Sequence, residues 1–217
     1  MPTSEATLPV APVPRLHEAP VRCEDVRVKK SSSPRRPDVT TVELVGGTEP
    51  LTVELHSYDE RWPGLYLDHR RRILNALVAA NVGVKHIGST SVPGLAAKPI
   101  IDIVVTVDDI TAEVDYLDAL LTAGYELRTR EPGHRLVRTP ARDVHVHIYQ
   151  HDDSAVVEYL LLRDWLRSNA DDRAIYESTK RSLLRGRWDD MNAYADAKTD
   201  VIREIKARAR AAGTSRP

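Results

Sequence analysis

Residues 100–107 read IIDIVVTV, an almost unbroken β-branched run with one aspartate inside it. Branching at Cβ favours the extended chain, and a run this short and this apolar predicts a buried strand. The strand period of two puts Asp102, Val104 and Thr106 on one face and Ile101, Ile103 and Val105 on the other. A carboxylate among such neighbours is costly to bury unpaired. Asp102 therefore binds a cation, accepts strong hydrogen bonds, or lies at an edge facing water. Lys98, just upstream, offers a counter-ion or a phosphate ligand.

The neighbouring pattern supplies the rest of a sheet. TVELV and LTVELH alternate around the turn signal GGTEP, which fits a short strand pair or one strand preceded by an irregular arm. Pro63 suits the first turn of a helix running to about Ala80, with Leu67, Ile73, Leu74, Leu77 and Val78 on one face. VKHIG reads as a short strand, GSTSVPGLAAKP as a long loop, and ITAEVDYLDALLTAG as a helix closed by Gly124. YELRTR, HRLVRT and DVHVHIY follow as further strands, with a turn at Pro132 and Gly133. From about Ser154 to Ala211 there is no proline, and three helical stretches are broken near Asn169 and near residues 186–189. The order predicts an α+β domain over residues 41–211: a mixed β-sheet with helices on one side, then a C-terminal helical segment.

Residues 1–40 differ in kind. Pro2, Pro9, Pro12, Pro14, Pro20, Pro34 and Pro37 fall there, beside the patch KKSSSPRRP, and few large apolar residues accompany them. Such a segment predicts a flexible extension, acting as a linker or as a basic tether for a partner. Residues 212–217 read as a disordered tail.

Charge and cysteine content exclude several classes. The chain has 31 Lys+Arg against 32 Asp+Glu, which argues against a protein that coats nucleic acid by bulk positive charge. The lone Cys23 rules out an internal disulfide framework and a multi-cysteine zinc site, so the chain reads as cytoplasmic. No apolar run approaches the ~20 residues of a membrane span, and no export signal is evident. With no Phe among the 217 residues, the core has to be built from Leu, Val, Ile and Ala. Tyr58 and Trp62 read as core anchors or as walls of a cleft.

Two further patterns carry candidate chemistry. Gly88, Ser89 and Thr90 end a strand, where backbone N–H groups and two hydroxyls can converge on an anion, although such a tripeptide can equally be a simple turn. In DVHVHIY, Asp143, His145 and His147 share one face while Val144, Val146 and Ile148 face the core. Two histidines so spaced can point into one cleft, as metal ligands, proton carriers or phosphate ligands.

Taken together, VELHSYDERWP, HIGSTSVPGLAAKPIIDIVV, HVHIY, YLLLRDWLR and AYADAKTDVIREI resemble the GrpB family, in order, across about residues 52–210. The resemblance implies a nucleotidyltransferase-superfamily fold whose Gly-Ser-Thr loop and following strand form a nucleotide site. Gly88, Ser89 and Thr90 then match the phosphate loop, and Asp102 matches the first carboxylate of an Asp-x-Asp metal pair. Val104 stands where the second carboxylate would be. His145 and His147 occupy a strand that in active transferases can carry a third. Arg163, Lys180, Tyr194 and Lys198 lie at positions of the GrpB pattern on the C-terminal helices; the cations among them could bind phosphate or carboxylate, or form a solvated helix face.

One carboxylate with two imidazoles is a poor Mg²⁺ cage, so standard two-metal transfer is disfavoured. A single Mn²⁺ or Zn²⁺ at Asp102, His145 and His147, or metal-free acid–base chemistry, suits these groups better. The expected function is a transferase-like enzyme acting on a nucleotide or another phosphorylated or anionic small molecule. The alternatives are a non-catalytic binding or folding-helper module, and a biosynthetic enzyme reusing the fold for amide-bond or group-transfer chemistry. Asp102 is expected within about 8 Å of the imidazoles if they share an ion or a water bridge.

Overall fold

A computed structural model of the chain describes residues 36–47, 54–78, 80–185 and 197–214. In chain order the elements are β1 (Glu43–Leu44), α1 (Trp62–Ala76), β2 (Gly83–Ile87), β3 (Ile101–Val107), α2 (Leu117–Thr122), β4 (Glu126–Glu131), β5 (His134–Arg138), β6 (Val144–Gln150), α3 (Ser154–Ser168), α4 (Ala170–Leu183) and α5 (Thr199–Thr214). The six strands form one sheet in the order β1-β4-β5-β6-β3-β2. Only β3 and β6 run parallel; the other pairs are antiparallel. The α+β mixed sheet expected from the sequence is thus present, with five α-helices among the described residues.

The two faces of the central strands differ. Ile101, Ile103, Val105 and Val107 of β3, with Val144, Val146 and Ile148 of β6, pack against Trp62, Ile73 and Leu77 of the α1 region and Leu117 and Leu120 of α2. On the opposite face Ile87, Val104 and Tyr149 meet Ala155, Val156, Tyr159 and Leu160 of α3. Helices therefore cover both faces, correcting the one-sided layering expected from element order. The correction has a simple cause: Val104, on the polar register of β3, is itself buried, so that face also needs an apolar cover.

The helix ends follow local chemistry. Proline occupies the first turn of α1, where its missing N–H costs nothing. The Asp153 carboxylate caps α3 by accepting from Ala155 N at 2.8 Å. Asn169 ends α3 and starts α4, its side-chain oxygen accepting from Asp172 N at 2.8 Å. The predicted break there is present; the second, near residues 186–189, lies outside the described residues, as do Tyr194 and Cys23.

Other expectations are corrected. α1 stops at Ala76, and Leu67 and Val78, expected on its core face, are 53% and 83% exposed. The buried stripe runs instead through Trp62, Tyr66 and Ile73 to Leu77 at the C-cap, which leaves Leu67 about 100° around the helix from Tyr66. Trp62 is a core anchor, edge-on to Tyr58 at 5.2 Å. The segment expected as one helix up to Gly124 splits into a 3-10 turn at Glu113–Asp115 and the short α2, while Gly124 closes it in a left-handed conformation, φ 92°. Glu43–Leu44 pairs with β4 rather than with the stretch after GGTEP; residues 51–53 of that stretch lie outside the described residues, and His56 instead bridges Ala97.

Arg36 and Asp38 make contacts with the sheet domain. Arg36 N donates to Thr111 O, and Asp38 accepts from Gly133 N and from Arg135, whose guanidinium is fully buried. Glu113 accepts from the same guanidinium at 2.7 Å, so this buried charge is paired twice. At the other end α5 runs to Thr214.

Candidate functional site

Parallel pairing of β3 with β6 sets Asp102 opposite His145 and Val104 opposite His147. Because side chains alternate, the carboxylate and both imidazoles emerge on one face. Asp102 Oδ1 lies 3.8 Å from His145 Nδ1 and 3.8 Å from His147 Nε2. The three ligand atoms fall within 4.8 Å of one another, half-buried, well inside the separation expected from sequence. Asp143, expected beside them, precedes β6 and instead accepts from Thr139 Oγ1 at 2.6 Å in the turn before it.

Gly88 makes the approach of β2 to this carboxylate feasible. It sits at φ 69°, and a Cβ there would stand 2.3 Å from Asp102 Oδ2. No side chain fits. The loop's hydroxyls then diverge. Ser89 is half-buried, with its Oγ 3.2 Å from Lys180 Nζ. Thr90, expected to share the anion-binding role, is 1% exposed and donates to Ile100 O at 2.9 Å, so it ties the loop to the start of β3. His86 stacks on Tyr66 at 4.6 Å and lies 3.2 Å from Thr90 Oγ1; burial pushes its pKa down to about 4.

Lys98 and Lys198 act electrostatically on the cluster, and Lys180 reaches the adjoining Ser89 loop from α4. Lys180 on α4 is 4% exposed, donates to Ala96 O and sits 4.8 Å from the Tyr176 ring centre. Burial, with Lys198 and Arg181 nearby and Glu177 opposing, lowers its pKa to about 7. Lys198, just before α5, is lowered by burial and by Lys98, while the Asp102 charge acts the other way. Lys98 is also felt by His145, whose pKa is lowered first by burial, with Asp102 opposing and His147 and Arg138 reinforcing. Arg163, expected with these cations, turns elsewhere: it donates to His86 O at 3.0 Å and pairs with Asp164. It braces β2 against α3.

The residue that sequence alone does not single out is His134. It opens β5 directly after the turn and is 8% exposed. Its Nε2 lies 3.2 Å from His147 Nδ1, and its Nδ1 lies 3.1 Å from Glu131 Oε2. The ring stacks between His147, at 5.3 Å, and Tyr149, at 4.5 Å. Burial and the neighbouring His147 push its pKa down to about 4, against Glu131. The available signal is a histidine two residues after the hairpin proline, but its meaning depends on the register of β5 on β6.

Val104, in the position of a second carboxylate, is 1% exposed and packed with Ile87 and Tyr149 under α3. The face thus offers one carboxylate, two imidazoles and converging ammonium groups on a mixed sheet. The family described as GrpB protein matches residues 52–208, and the chain belongs to that family.

A UPF0157 protein of Streptomyces coelicolor is 69% identical over 84% of this chain and 97% of its own length. Another from Halalkalibacterium halodurans is 40% identical over 83% and 95%. A dephospho-CoA kinase of Mycolicibacterium paratuberculosis is 30% identical, covering 72% of this chain but 46% of the kinase. Among solved structures, the conserved protein GrpB from Enterococcus faecalis superposes with a TM-score of 0.63 at 33% identity, over 72% of this chain and 96% of that one. The Cid1 poly(U) polymerase and the GLD-2/RNP-8 complex are also structural neighbours, at 14% and 15% identity, with TM-scores of 0.44 and 0.46.

Proposed function

We propose that this GrpB-family protein is a transferase-like enzyme that binds a nucleotide or another phosphorylated small molecule over the Asp102 face of the sheet. The observation that carries the reading is the meeting of Asp102, His145 and His147 within 4.8 Å, with Lys98 and Lys198 acting on the same groups and Lys180 on the adjoining Ser89.

The donor set fits a single divalent ion tolerant of nitrogen, such as Mn²⁺ or Zn²⁺, better than Mg²⁺, which demands an oxygen shell. Asp102, His145 and His147 would hold it. Such an ion, when bound, supplies positive charge to a phosphoryl or carbonyl oxygen. Lys98, Lys180 and Lys198 neutralise the anionic part of the ligand, and Ser89, held by Lys180, hydrogen-bonds it. Gly88 keeps the backbone low enough for the ligand to reach Asp102. Val104, buried where a second carboxylate would be needed, argues for chemistry other than two-metal nucleotidyl transfer. The same burial also supports a second reading, a binding module without catalysis.

Metal analysis of the purified protein, followed by calorimetric titration of Mn²⁺, Zn²⁺ and Mg²⁺ and then of ATP and dephospho-CoA, tests the proposal. The expected result is Mn²⁺ or Zn²⁺ binding lost in the His145→Ala, His147→Ala double variant, and phosphate-ligand binding weakened by Ser89→Ala. Tight Mg²⁺ binding that survives the double variant overturns the metal assignment. Ligand affinity unchanged by Ser89→Ala and Lys180→Met overturns the anion site.

A further inference from the structure

We infer that His134, held by Glu131, is a positioning residue that fixes the tautomer of His147 and turns its bare Nε2 lone pair toward Asp102. The inference rests on the cation site proposed above and adds the pair that makes it selective for a cation.

The polarity of the hydrogen bonds along the row sets where each proton sits. The Glu131 carboxylate can only accept, so His134 Nδ1 carries a proton and donates to it across 3.1 Å. In the neutral ring, Nε2 then has a lone pair and no proton. It lies 3.2 Å from His147 Nδ1, so that contact is a hydrogen bond only if His147 Nδ1 is the donor. His147 Nε2 is thereby left unprotonated, and it faces Asp102 Oδ1 at 3.8 Å. Two acceptors facing each other repel unless a cation or a shared proton sits between them. His145 Nδ1, 3.8 Å from the same oxygen, adds a second nitrogen at the same point.

Packing makes this orientation rigid. His134 is 8% exposed and stacked nearly parallel to both His147 and Tyr149, with interplanar angles of 10° and 14°. The flanking rings hold the plane of His134, and the Glu131 carboxylate keeps its proton on Nδ1, away from His147. Outer partners of this kind orient a metal-binding imidazole and raise its basicity, and their loss typically costs about 10- to 100-fold in metal affinity. Asp102 and His145 supply the ion's other ligands without help from this row. His134 and Glu131 do not touch the ion in this arrangement; they act through His147.

The test separates tautomer from affinity. In protein labelled with ¹⁵N at histidine and kept free of metal, two-bond ¹H–¹⁵N correlation spectra report which His147 nitrogen bears the proton. The expected wild-type result is a protonated Nδ1 and a bare Nε2. His134→Phe preserves the stack but offers no lone pair, and should give His147 a mixed or reversed tautomer and weaken Mn²⁺ or Zn²⁺ binding about 10- to 100-fold. Glu131→Ala alters a half-exposed side chain outside the core, and should shift both readouts in the same direction by less, even if His134→Phe fails to fold. A wild-type His147 protonated on Nε2, or a tautomer untouched by either variant, overturns the inference. A wild type with the expected tautomer that binds none of the three metals would instead refute the cation site while leaving the role of His134 standing.

Discussion

The two faces of β3 and β6 come from the same residue run and serve opposite ends. On one, Ile101, Ile103, Val105, Val144, Val146 and Ile148 are at most 2% exposed and meet α1 and α2. On the other, Asp102, His145 and His147 remain half-buried under helices that arrive from the C-terminal third of the chain. The period of two lets one strand pair act as wall and as floor of a site, and the rigidity of the first face holds the ligands of the second in register. The difference teaches that substitutions one position apart should have unlike consequences.

The largest effect is expected on the aliphatic face. Ile103→Ala, at a fully buried position, should cost about 2–5 kcal/mol in urea unfolding and leave the metal preference of the surviving folded protein unchanged. Its neighbour Asp102→Asn should do the reverse, lowering Mn²⁺ or Zn²⁺ affinity at least about a hundredfold in titration with little change in the unfolding midpoint. Equal stability losses for the two would break the comparison.

Val104→Asp tests where the faces blur. It places a carboxylate beneath Tyr149 and α3 and should destabilise the fold by about 1–3 kcal/mol. Mg²⁺ binding in the variant should rise relative to wild type, read by the same titration.

The smallest effect concerns the cationic arm. The pKa of Lys180 stands near 7 in the fold, against 10.5 for the free side chain. Between those values the unfolded chain binds more protons than the native one, so Lys180 makes stability rise with pH across that window and withdraws that contribution as pH falls toward 7. An anionic ligand favours the ammonium form. Phosphate-ligand affinity should therefore decline as pH rises above about 7, by no more than about tenfold per pH unit, the limit for one proton. Lys180→Met should flatten that slope in calorimetry at several pH values.

Much of this contrast was legible in the sequence. The alternation in IIDIVVTV and DVHVHIY assigns the faces correctly, because strand periodicity is a local property. The nearness of Asp102 to His145 and His147 was an expectation that the parallel register turned into distances. Three features were not legible. Thr90 resembles Ser89 until the loop's path sends its hydroxyl to Ile100 O. Arg163 resembles a ligand cation until α3 docks it on a β2 carbonyl. His134 gains meaning only when β5 lies against β6, since a histidine after a turn carries no marker of what will stack on it. In each case the deciding contact is tertiary, and no local pattern encodes it.

The lysine of α4 meets the serine of the loop across 91 positions of sequence, and that separation has a kinetic meaning. Contacts so distant along the chain form late, because the loop must close before they return any free energy. A nascent chain that has paired β3 with β6 already holds the aspartate and the two imidazoles near one another, yet lacks Lys180 and Lys198, which the C-terminal helical segment brings later. On the function proposed above, the strand pair would carry its ion-binding groups before the lysines of the C-terminal helical segment reach them. A divalent ion present during refolding should act as an early nucleating partner, speeding formation of the strand pair before it has any ligand to serve.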